Sequence, residues 1–371
     1  MKIGIVITNP NHHLELTLEA AKAMKAQGHE PFYLSLCEMR RMKTPVEKLE
    51  AAGIPFFRQK ELPGDVKPTL GAKTLGANDS PIRKIAREAF WRLKMSAFVR
   101  AHLKNADKVW LLNDTAFPGN KIVAYLKAKR VPFYLMQEGI RFPLPGETES
   151  NYGAAGAEKI MVWGERSARY FESVKSADSQ VVITGSPRFE GFLKRAEAFK
   201  VQADGPVLGV FTNPIDDQGF CTKDEKLALF EQFIERGAEQ INHSGLTLGI
   251  KTHPREDVNE YLEIAQKHVD KAIALPKDIV EAIKSVYAGI IFASTVGLEL
   301  LLLGKRLGQM ELPGHGYVFD YEENPDLLKI PLEGGFDLGA LSEGKSENSY
   351  INSHIYSGEN PIDIICKTIL E

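Results

Sequence analysis

The sequence has few cysteines and no long apolar run. Its three cysteines stand far apart among 371 residues, which excludes a CxxC zinc or redox motif and fits a reducing compartment. The apolar run Ile3 to Ile7 is too short for the core of a signal peptide. The run that begins at Gly297 carries Glu299 and is far shorter than the roughly 20 residues that span a bilayer. The sequence therefore predicts a cytoplasmic protein.

A strong net charge is also absent. The chain has 46 Lys and Arg against 49 Asp and Glu, and 43% of its residues are hydrophobic. This balance indicates a globular protein with no general attraction for nucleic acid. The sequence contains no HExxH, Walker A, GxSxG or DxD element, and the nearest acidic pair is Asp216 and Asp217. We therefore expect no metal and no cofactor at the site.

A short strand pattern occurs twice, as GIVITNP at residues 4–10 and as GVFTNP at residues 209–214. Each is an apolar run that stops at Thr-Asn-Pro, which is typical of a buried strand ending in a loop. A chance match of three residues is the alternative. Similar runs separated by helix-length segments recur in both halves of the chain, which favours parallel sheets covered on both faces.

The repeat predicts an α/β fold of two tandem Rossmann-like domains that face a cleft. The join is expected between residues 185 and 205, giving a first domain at residues 1–190 and a second at residues 191–371. The last helical segment either closes the second domain or crosses back to the first. Ligands of such sheets bind beyond the carboxyl ends of the strands, so the candidate site residues are those that follow the predicted strands.

Residues 82–104 form a predicted basic amphipathic helix. One reading is a helix that packs on the core with a solvated basic face. The other is a helix that contacts an anionic membrane surface or an anionic glycolipid, which co-sedimentation with anionic vesicles would test. The apolar positions at helical spacing are Ile82, Ile85, Ala89, Phe90, Leu93 and Ala97, and the basic residues, against the single acid Glu88, are Arg83, Lys84, Arg87, Arg92, Lys94, Arg100 and Lys104.

The candidate general base is Glu138, in the segment YLMQEGIRF. It follows an apolar strand and precedes Gly139, which allows tight backbone geometry. A partly buried carboxylate at a strand end can accept a proton. Asp114, in LLNDT, occupies a similar position and is the rival base; a loop acid without a role is the alternative for either residue.

The candidate phosphate clamp lies in IKTHPRED, at the end of another predicted strand. Lys251, His253 and Arg255 stand close together there, and Pro254 fixes the turn that holds the histidine. A lone histidine would more often be structural, but this one has two basic neighbours.

A second donor group lies in IIFASTVGLELLLLGK, where Ser294 and Thr295 stand between a strand and a helix. Hydroxyls beside the first N–H groups of a helix suit an anion, although an ordinary N-cap would explain Ser294 alone. Glu299 lies in the apolar helix that follows. A buried acid needs a partner, and the sugar hydroxyls of a nucleotide would serve.

Other polar residues at strand ends complete the predicted set of substrate-binding residues. They are His12, Arg141, Arg188 and Asn213.

These elements resemble bacterial GT-B glycosyltransferases, in particular capsule and lipopolysaccharide enzymes that use CMP-activated 3-deoxy acids such as sialic acid or Kdo. The family's acidic-Gly, His-Pro and Ser/Thr motifs correspond in order to QEG, HP and ST here, with Gln137 where the family often has a first acid. The segments VWGERSARYF and VITGSPRFEGF also resemble those of capsule polysaccharide biosynthesis proteins. By this resemblance Glu138 takes a proton from the acceptor, His253 binds the donor phosphate, and Ser294 with Thr295 holds phosphate or a sugar carboxylate.

The resemblance implies an inverting, metal-independent glycosyltransferase. The protein is expected in the cytoplasm, and the membrane alternative for residues 82–104 would make it peripheral at the inner face of the membrane. Its donor would be a nucleotide sugar, with CMP preferred and CDP or UDP left open, and its acceptor a surface polysaccharide or glycolipid. CDP-glycerol phosphotransferases and UDP-sugar epimerases share the fold and are alternatives. A non-catalytic polysaccharide-binding or export accessory protein is a further one, because a fold does not fix a function.

Overall fold

A computed structural model of the chain describes residues 1–40, 42–59, 85, 88–140, 151–199, 206–341 and 348–371. The strands in these residues form two separate parallel sheets. The first sheet has seven strands in the order β3-β2-β1-β4-β5-β6-β7. They are β1 Lys2–Ile7, β2 Glu30–Ser35, β3 Phe56–Arg58, β4 Lys108–Leu111, β5 Phe133–Met136, β6 Lys159–Val162 and β7 Gln180–Ile183.

The second sheet has six strands in the order β10-β9-β8-β11-β12-β13. They are β8 Val207–Phe211, β9 Thr247–Lys251, β10 Ala272–Ala274, β11 Ala288–Ile291, β12 Arg306–Met310 and β13 Leu328–Ile330. The sequence analysis did not predict β12 and β13. The prediction of two tandem Rossmann-like halves is confirmed, and the parts of the chain built on the two sheets are called the first half and the second half below.

Helices connect the strands and cover the sheets. They are α1 His12–Ala26, α2 Val46–Ala51, α3 Ser96–Leu103, α4 Gly119–Lys129, α5 Glu165–Val174, α6 Pro187–Ala198, α7 Lys223–His243, α8 Val258–Ala265, α9 Ile279–Lys284, α10 Val296–Leu302, α11 Asn348–His354 and α12 Pro361–Leu370. Those predicted after the two Thr-Asn-Pro strands are found as α1 and α7. In the part of the chain that the structure describes, no helix is both long and apolar enough to cross a membrane.

Each sheet reverses its strand order beside its first strand. In the first sheet β1 lies between β2 and β4, and in the second sheet β8 lies between β9 and β11. Loops that leave such a switch point diverge to opposite faces and open a crevice at the carboxyl edge. Both Thr-Asn-Pro segments, at residues 8–10 and 212–214, leave the sheet at this point, so each copy follows the first strand of its own sheet.

The strands are buried on both faces. Ile3, Ile5 and Ile7 of β1 face one hydrophobic cluster, and Val6 faces another. This two-sided burial explains why the strands are apolar without alternation.

The C-terminal helices return to the first half, which is the second of the two alternatives in the sequence analysis. The N–H of Tyr356 donates to the carbonyl of Trp163 at 2.8 Å, and Lys108 Nζ donates to the carbonyl of Ile369 at 2.7 Å. Helix α12 packs on α1 and α6. The predicted domain boundary at 190/191 falls inside α6, and the division into domains at that point stays a prediction.

The apolar face predicted for residues 82–104 is wrong where the structure describes it. Ile85 and Leu93 are 70% and 81% exposed, whereas Trp91 and Met95 are buried. The reason is a π-helical turn at Trp91–Met95, which adds a residue to one turn and shifts the phase of the helix. Membrane contact through this helix stays a prediction, and its exposed apolar side chains lie among basic ones.

Two arginines of the first half pair with acids of the second. Arg166 of α5 lies 2.7 Å from both Asp320 Oδ2 and Glu323 Oε2. Arg188 of α6 forms a close ion pair with Glu299 of α10. These pairs cross the cleft between the two sheets.

The close approach of α11 to β6 generates a stability prediction. A Cβ added to Gly164 would lie 2.5 Å from the carbonyl oxygen of His354, so Gly164→Ala must displace the backbone of α11. We expect a loss of roughly 1–3 kcal/mol in the free energy of unfolding, measured by urea titration. The matched control is Gly191→Ala, because no atom lies within 4 Å of a Cβ there. Alanine inside helix α6 should stabilise by up to about 1 kcal/mol. Equal stability of the two variants would contradict the packing described.

Candidate active site

Glu138 lies two residues beyond β5 and is held by a buried histidine. His13 Nε2 is 2.9 Å from Glu138 Oε1, and the N–H of Thr8 donates to His13 Nδ1 at 3.2 Å. Because Nδ1 accepts a hydrogen bond, the proton of the ring is on Nε2, which donates to the carboxylate. His13 was missed by the sequence analysis, since nothing near it in the chain marks a partner 125 positions away.

His12 contacts the same residue through its main chain. Its Nε2 donates to the carbonyl oxygen of Glu138 at 2.5 Å. Burial, and then the charge of Arg188, lower the pKa of His12 to about 4. The imidazole is therefore neutral at pH 7, and the predicted site residues His12, Glu138 and Arg188 lie together.

The rival acid, Asp114, has a structural role. Its carboxylate accepts the N–H groups of Gly153, at 3.0 and 3.1 Å, and of Ala155, at 3.1 Å. The side chain is buried, and this burial raises its pKa. These contacts hold the chain at residues 153–155 and favour Glu138 over Asp114 as the base.

The neighbours of Glu138 differ from expectation in one respect. Gln137 ties β5 to β6, because its Oε1 accepts the N–H of Trp163 at 2.9 Å. Gly139 has no positive φ, and a Cβ added to it would meet no described atom within 4 Å. The tight geometry expected at Gly139 is therefore not found. Arg141 lies outside the described residues.

On the second half, His253 follows β9 and is also fixed in one tautomer. Its Nδ1 accepts the N–H of Arg255 at 3.2 Å, so the proton is on Nε2. Burial, and then the charge of Arg255, lower the pKa of His253 to about 4; Lys251 acts in the same direction. The structure thus brings the three residues of the predicted clamp together, with a neutral histidine as a hydrogen-bond donor.

A buried acid that the sequence analysis missed supports this loop. Glu256 accepts hydrogen bonds at 2.8 Å from Lys226 Nζ, Tyr261 OH and Thr212 Oγ1. Its Oε2 also accepts the N–H of His253 at 3.2 Å. The loop that carries His253 is therefore tied to β8 and α7.

The acidic pair after the second Thr-Asn-Pro is engaged by cations. Asp216 lies 2.6 Å from Lys226 Nζ, and Asp217 lies 2.8 Å from Arg255 Nη1. Lys251 Nζ donates to the carbonyl of Thr252 at 2.8 Å. Within the described ranges, no group of three His, Cys, Asp or Glu residues could hold a metal ion.

Asn213 positions the loop that carries Ser294 and Thr295. Its Nδ2 donates to the carbonyl of Ala293 at 2.7 Å, and the N–H of Ala293 lies 3.3 Å from its Oδ1. These bonds join the carboxyl ends of β8 and β11. Ser294 Oγ accepts the N–H of Val296 at 3.3 Å, while Thr295 makes no side-chain cap. Asn213 was predicted to contact substrate, and in the structure it holds the backbone.

Glu299 is 2% exposed, and burial raises its pKa. A buried acid needs a partner, and in the structure this partner is Arg188 from the first half. The sequence analysis expected the sugar hydroxyls of a nucleotide in this role. Arg188 also lies 3.5 Å from Glu15. Glu138 thus bonds to His12, the charge of Arg188 acts on His12, and Arg188 pairs with Glu299 of the second half.

A cavity of about 510 Å³ lies beside the loop of Glu138, because Gln137 and Ile140 line it. It is lined by the loop after β5, helix α5, the loop after β12, Phe220 and His354. Both halves contribute to it, and its volume is in the range of small-molecule sites.

The fold is that of known two-domain proteins, although no family model and no characterised protein sequence matches the chain. The chain resembles the UDP-GlcNAc 2-epimerase of Methanocaldococcus jannaschii with a TM-score of 0.61 and 12% identity, and all of both chains is covered. The UDP-GlcNAc-bound 2-epimerase of Neisseria meningitidis has a TM-score of 0.59 and 14% identity to this chain, and all of both chains is again covered. MurG of Acinetobacter baumannii has a TM-score of 0.56 and 14% identity, and the match covers 100% of this chain and 99% of MurG. These similarities show the GT-B fold predicted from the sequence.

The lowered pKa values of His12 and His253 predict a pH dependence of stability. Between pH 6.5 and about 4, the unfolded chain binds a proton at each histidine and the folded chain does not. Stability should therefore fall as the pH drops through this window, by at most about 1.4 kcal/mol per pH unit for each histidine. The double variant His12→Gln, His253→Gln should show a shallower fall in urea titrations at pH 6.5 and 4.5. A slope equal to that of the wild type would contradict the neutral histidines.

Proposed function

We propose that the protein is a nucleotide-sugar-dependent glycosyltransferase that inverts the anomeric carbon and uses no metal. The observation that supports this most is the position of Arg188, whose charge lowers the pKa of His12 beside Glu138 and which pairs with Glu299 of helix α10. In the proposal, the carboxylate held by a histidine in the first half faces the loops of His253 and Ser294 in the second half across the cleft.

In this proposal Glu138 accepts the proton of an acceptor hydroxyl. The acceptor oxygen attacks the anomeric carbon of the donor, and the bond from that carbon to the phosphate oxygen breaks. The leaving phosphate keeps the electron pair, so negative charge builds on it. His253 Nε2–H and the hydroxyls of Ser294 and Thr295 stabilise this charge, aided by the positive charges of Lys251 and Arg255.

His13 would act as a positioning residue for the base. Its Nε2–H fixes one oxygen of Glu138 and favours the ionised carboxylate that can take a proton. Because Nδ1 is fixed by Thr8, the ring keeps this orientation.

The nucleotide and the sugar are the finer part of the proposal. The sequence resemblance favours a CMP-activated 3-deoxy acid, while a solved structure of similar fold, MnaA of S. aureus, holds UDP. The acceptor would be a surface polysaccharide or a glycolipid. The exposed Leu93 on a basic helix suits an acceptor at a membrane.

A UDP-sugar epimerase is the second candidate, because the chain matches solved epimerases over its whole length. An epimerase would convert a UDP-sugar without an acceptor, and NMR of UDP-GlcNAc incubated with the protein would show the new epimer. An accessory protein would bind no nucleotide.

Nucleotide binding tests the proposed function directly. Calorimetric titration with CMP, CDP and UDP should show binding of at least one of them. His253→Ala, and Ser294→Ala with Thr295→Ala, should each weaken that binding roughly ten- to a hundredfold, because each removes hydrogen bonds to a charged group. The matched control is His268→Ala, a histidine of the same half that pairs with Glu231. No binding by the wild type would sink the proposal.

Removal of the base should separate binding from chemistry. Glu138→Gln is expected to lower transfer at least about a hundredfold and to leave the nucleotide Kd unchanged. His13→Phe should lower kcat and move the acidic limb of the pH–rate profile to higher pH, because the carboxylate loses a donor.

His13→Gln should restore part of the rate, since its amide can donate in place of Nε2. The titratable groups in contact with Glu138 are His12, His13 and Tyr152, and the charge of Arg188 acts on His12, so the same profiles are needed for the wild type and each variant. Full transfer in Glu138→Gln would move the base elsewhere, and equal rates in the two His13 variants would remove its positioning role.

A further inference from the structure

The cavity between the halves is distinct from the proposed catalytic groups. Gln137 and Ile140, on either side of Glu138, line it, but the residues assigned to the phosphate and the proton do not. It therefore lies beside the reacting groups and has no role in the proposal so far.

Aromatic rings from three separate elements surround the cavity. Tyr170 comes from helix α5, Phe220 from the loop after β8, and Tyr317 and Phe319 from the loop after β12. Phe319 adopts a φ of 68°, which is rare for an aromatic residue. Rings presented in this way offer flat apolar faces.

Arg166, a cation that lines the cavity, is engaged by two carboxylates. Arg166 Nη1 lies 2.7 Å from Asp320 Oδ2 and 2.7 Å from Glu323 Oε2, and Arg166 Nε donates to Ser353 at 2.7 Å. Asp320 in turn accepts the hydroxyl of Tyr350 at 3.0 Å. A cation bound to two carboxylates is poorly placed to receive a third from a ligand.

Polar side chains supply the hydrogen-bonding capacity. Those of Ser167, His315 and Tyr317 line the cavity and have no hydrogen-bond partner among the described residues. Burial raises the pKa of Tyr317, so its hydroxyl stays protonated as a donor. Hydroxyl and imidazole groups can each donate to or accept from an alcohol.

We propose that this cavity binds an uncharged pyranose unit, with the C–H face of the ring on the aromatic side chains and its hydroxyls on Ser167, His315 and Tyr317. The inference deepens the proposed function and rests on it. The pyranose could be the sugar of the donor or that of the acceptor. The carboxylate of a 3-deoxy acid would find Arg166 already engaged, so a sugar of that class fits this cavity poorly.

The donor arm of the test compares UDP with UDP-GlcNAc by calorimetry. If the sugar of the donor lies in the cavity, Tyr317→Ala lowers the affinity for UDP-GlcNAc about tenfold and leaves that for UDP unchanged. Tyr317→Phe keeps the ring, so its affinity for UDP-GlcNAc should fall less than that of Tyr317→Ala. Phe57→Ala, an aromatic residue on edge strand β3, is the control for a general effect on the fold.

The acceptor arm uses methyl β-glucopyranoside, followed by saturation-transfer NMR. If the sugar of the acceptor lies in the cavity, the wild type gives a signal that Ser167→Trp, which fills the space, abolishes. Unchanged melting temperatures of Tyr317→Ala and Ser167→Trp would show that these variants fold. If the cavity variants change neither the binding of UDP-GlcNAc nor that of the glucoside, the inference is overturned. A wild type that binds none of CMP, CDP and UDP would instead overturn the proposed function, and the glucoside arm would still decide the cavity.

Discussion

The geometry of the site depends on two arginines that cross the cleft. A carboxylate as buried as that of Glu299 is unstable without a partner, and the first half supplies Arg188. Arg166 of the first half likewise pairs with Asp320 of the second. Both arginines lie on helices that follow the last two strands of the first sheet, so the pairs fix how the two carboxyl edges face each other. Loss of Arg188 would leave the carboxylate of Glu299 buried without its partner, so this pair favours the observed arrangement of the two halves.

The sequence reveals strands better than it reveals contacts between halves. Strand ends and the residues on them follow from local composition, and so Glu138 and His253 were found. Strand β13 was missed because it is only three residues long. The buried face of the helix around Trp91–Met95 was also missed, because a π-helical turn changes the spacing of the buried residues from that of a regular α-helix. His13 was missed because its partner lies 125 positions away, and no local feature encodes such a pairing.

The two halves fix their key histidines by the same means. In each, a main-chain N–H donates to Nδ1, from Thr8 to His13 and from Arg255 to His253. The proton is then on Nε2, and the ring becomes a neutral donor. Towards Glu138 such a donor stabilises a carboxylate; towards a phosphate it would stabilise the charge of a leaving group without adding a cation. Backbone geometry thereby selects the chemistry of both rings.

The repeated Thr-Asn-Pro shows how one local motif leads to two roles. After β1, Asn9 Oδ1 accepts the N–H groups of Asn11 and His12, so the chain turns at once into α1 and brings His12 and His13 to Glu138. After β8, Asn213 bonds instead to the backbone of Ala293, and the next helix begins only at residue 223. The motif ends both first strands at a switch point. The length of chain before the next helix then decides whether the loop brings histidines to Glu138 or bonds to the backbone of Ala293.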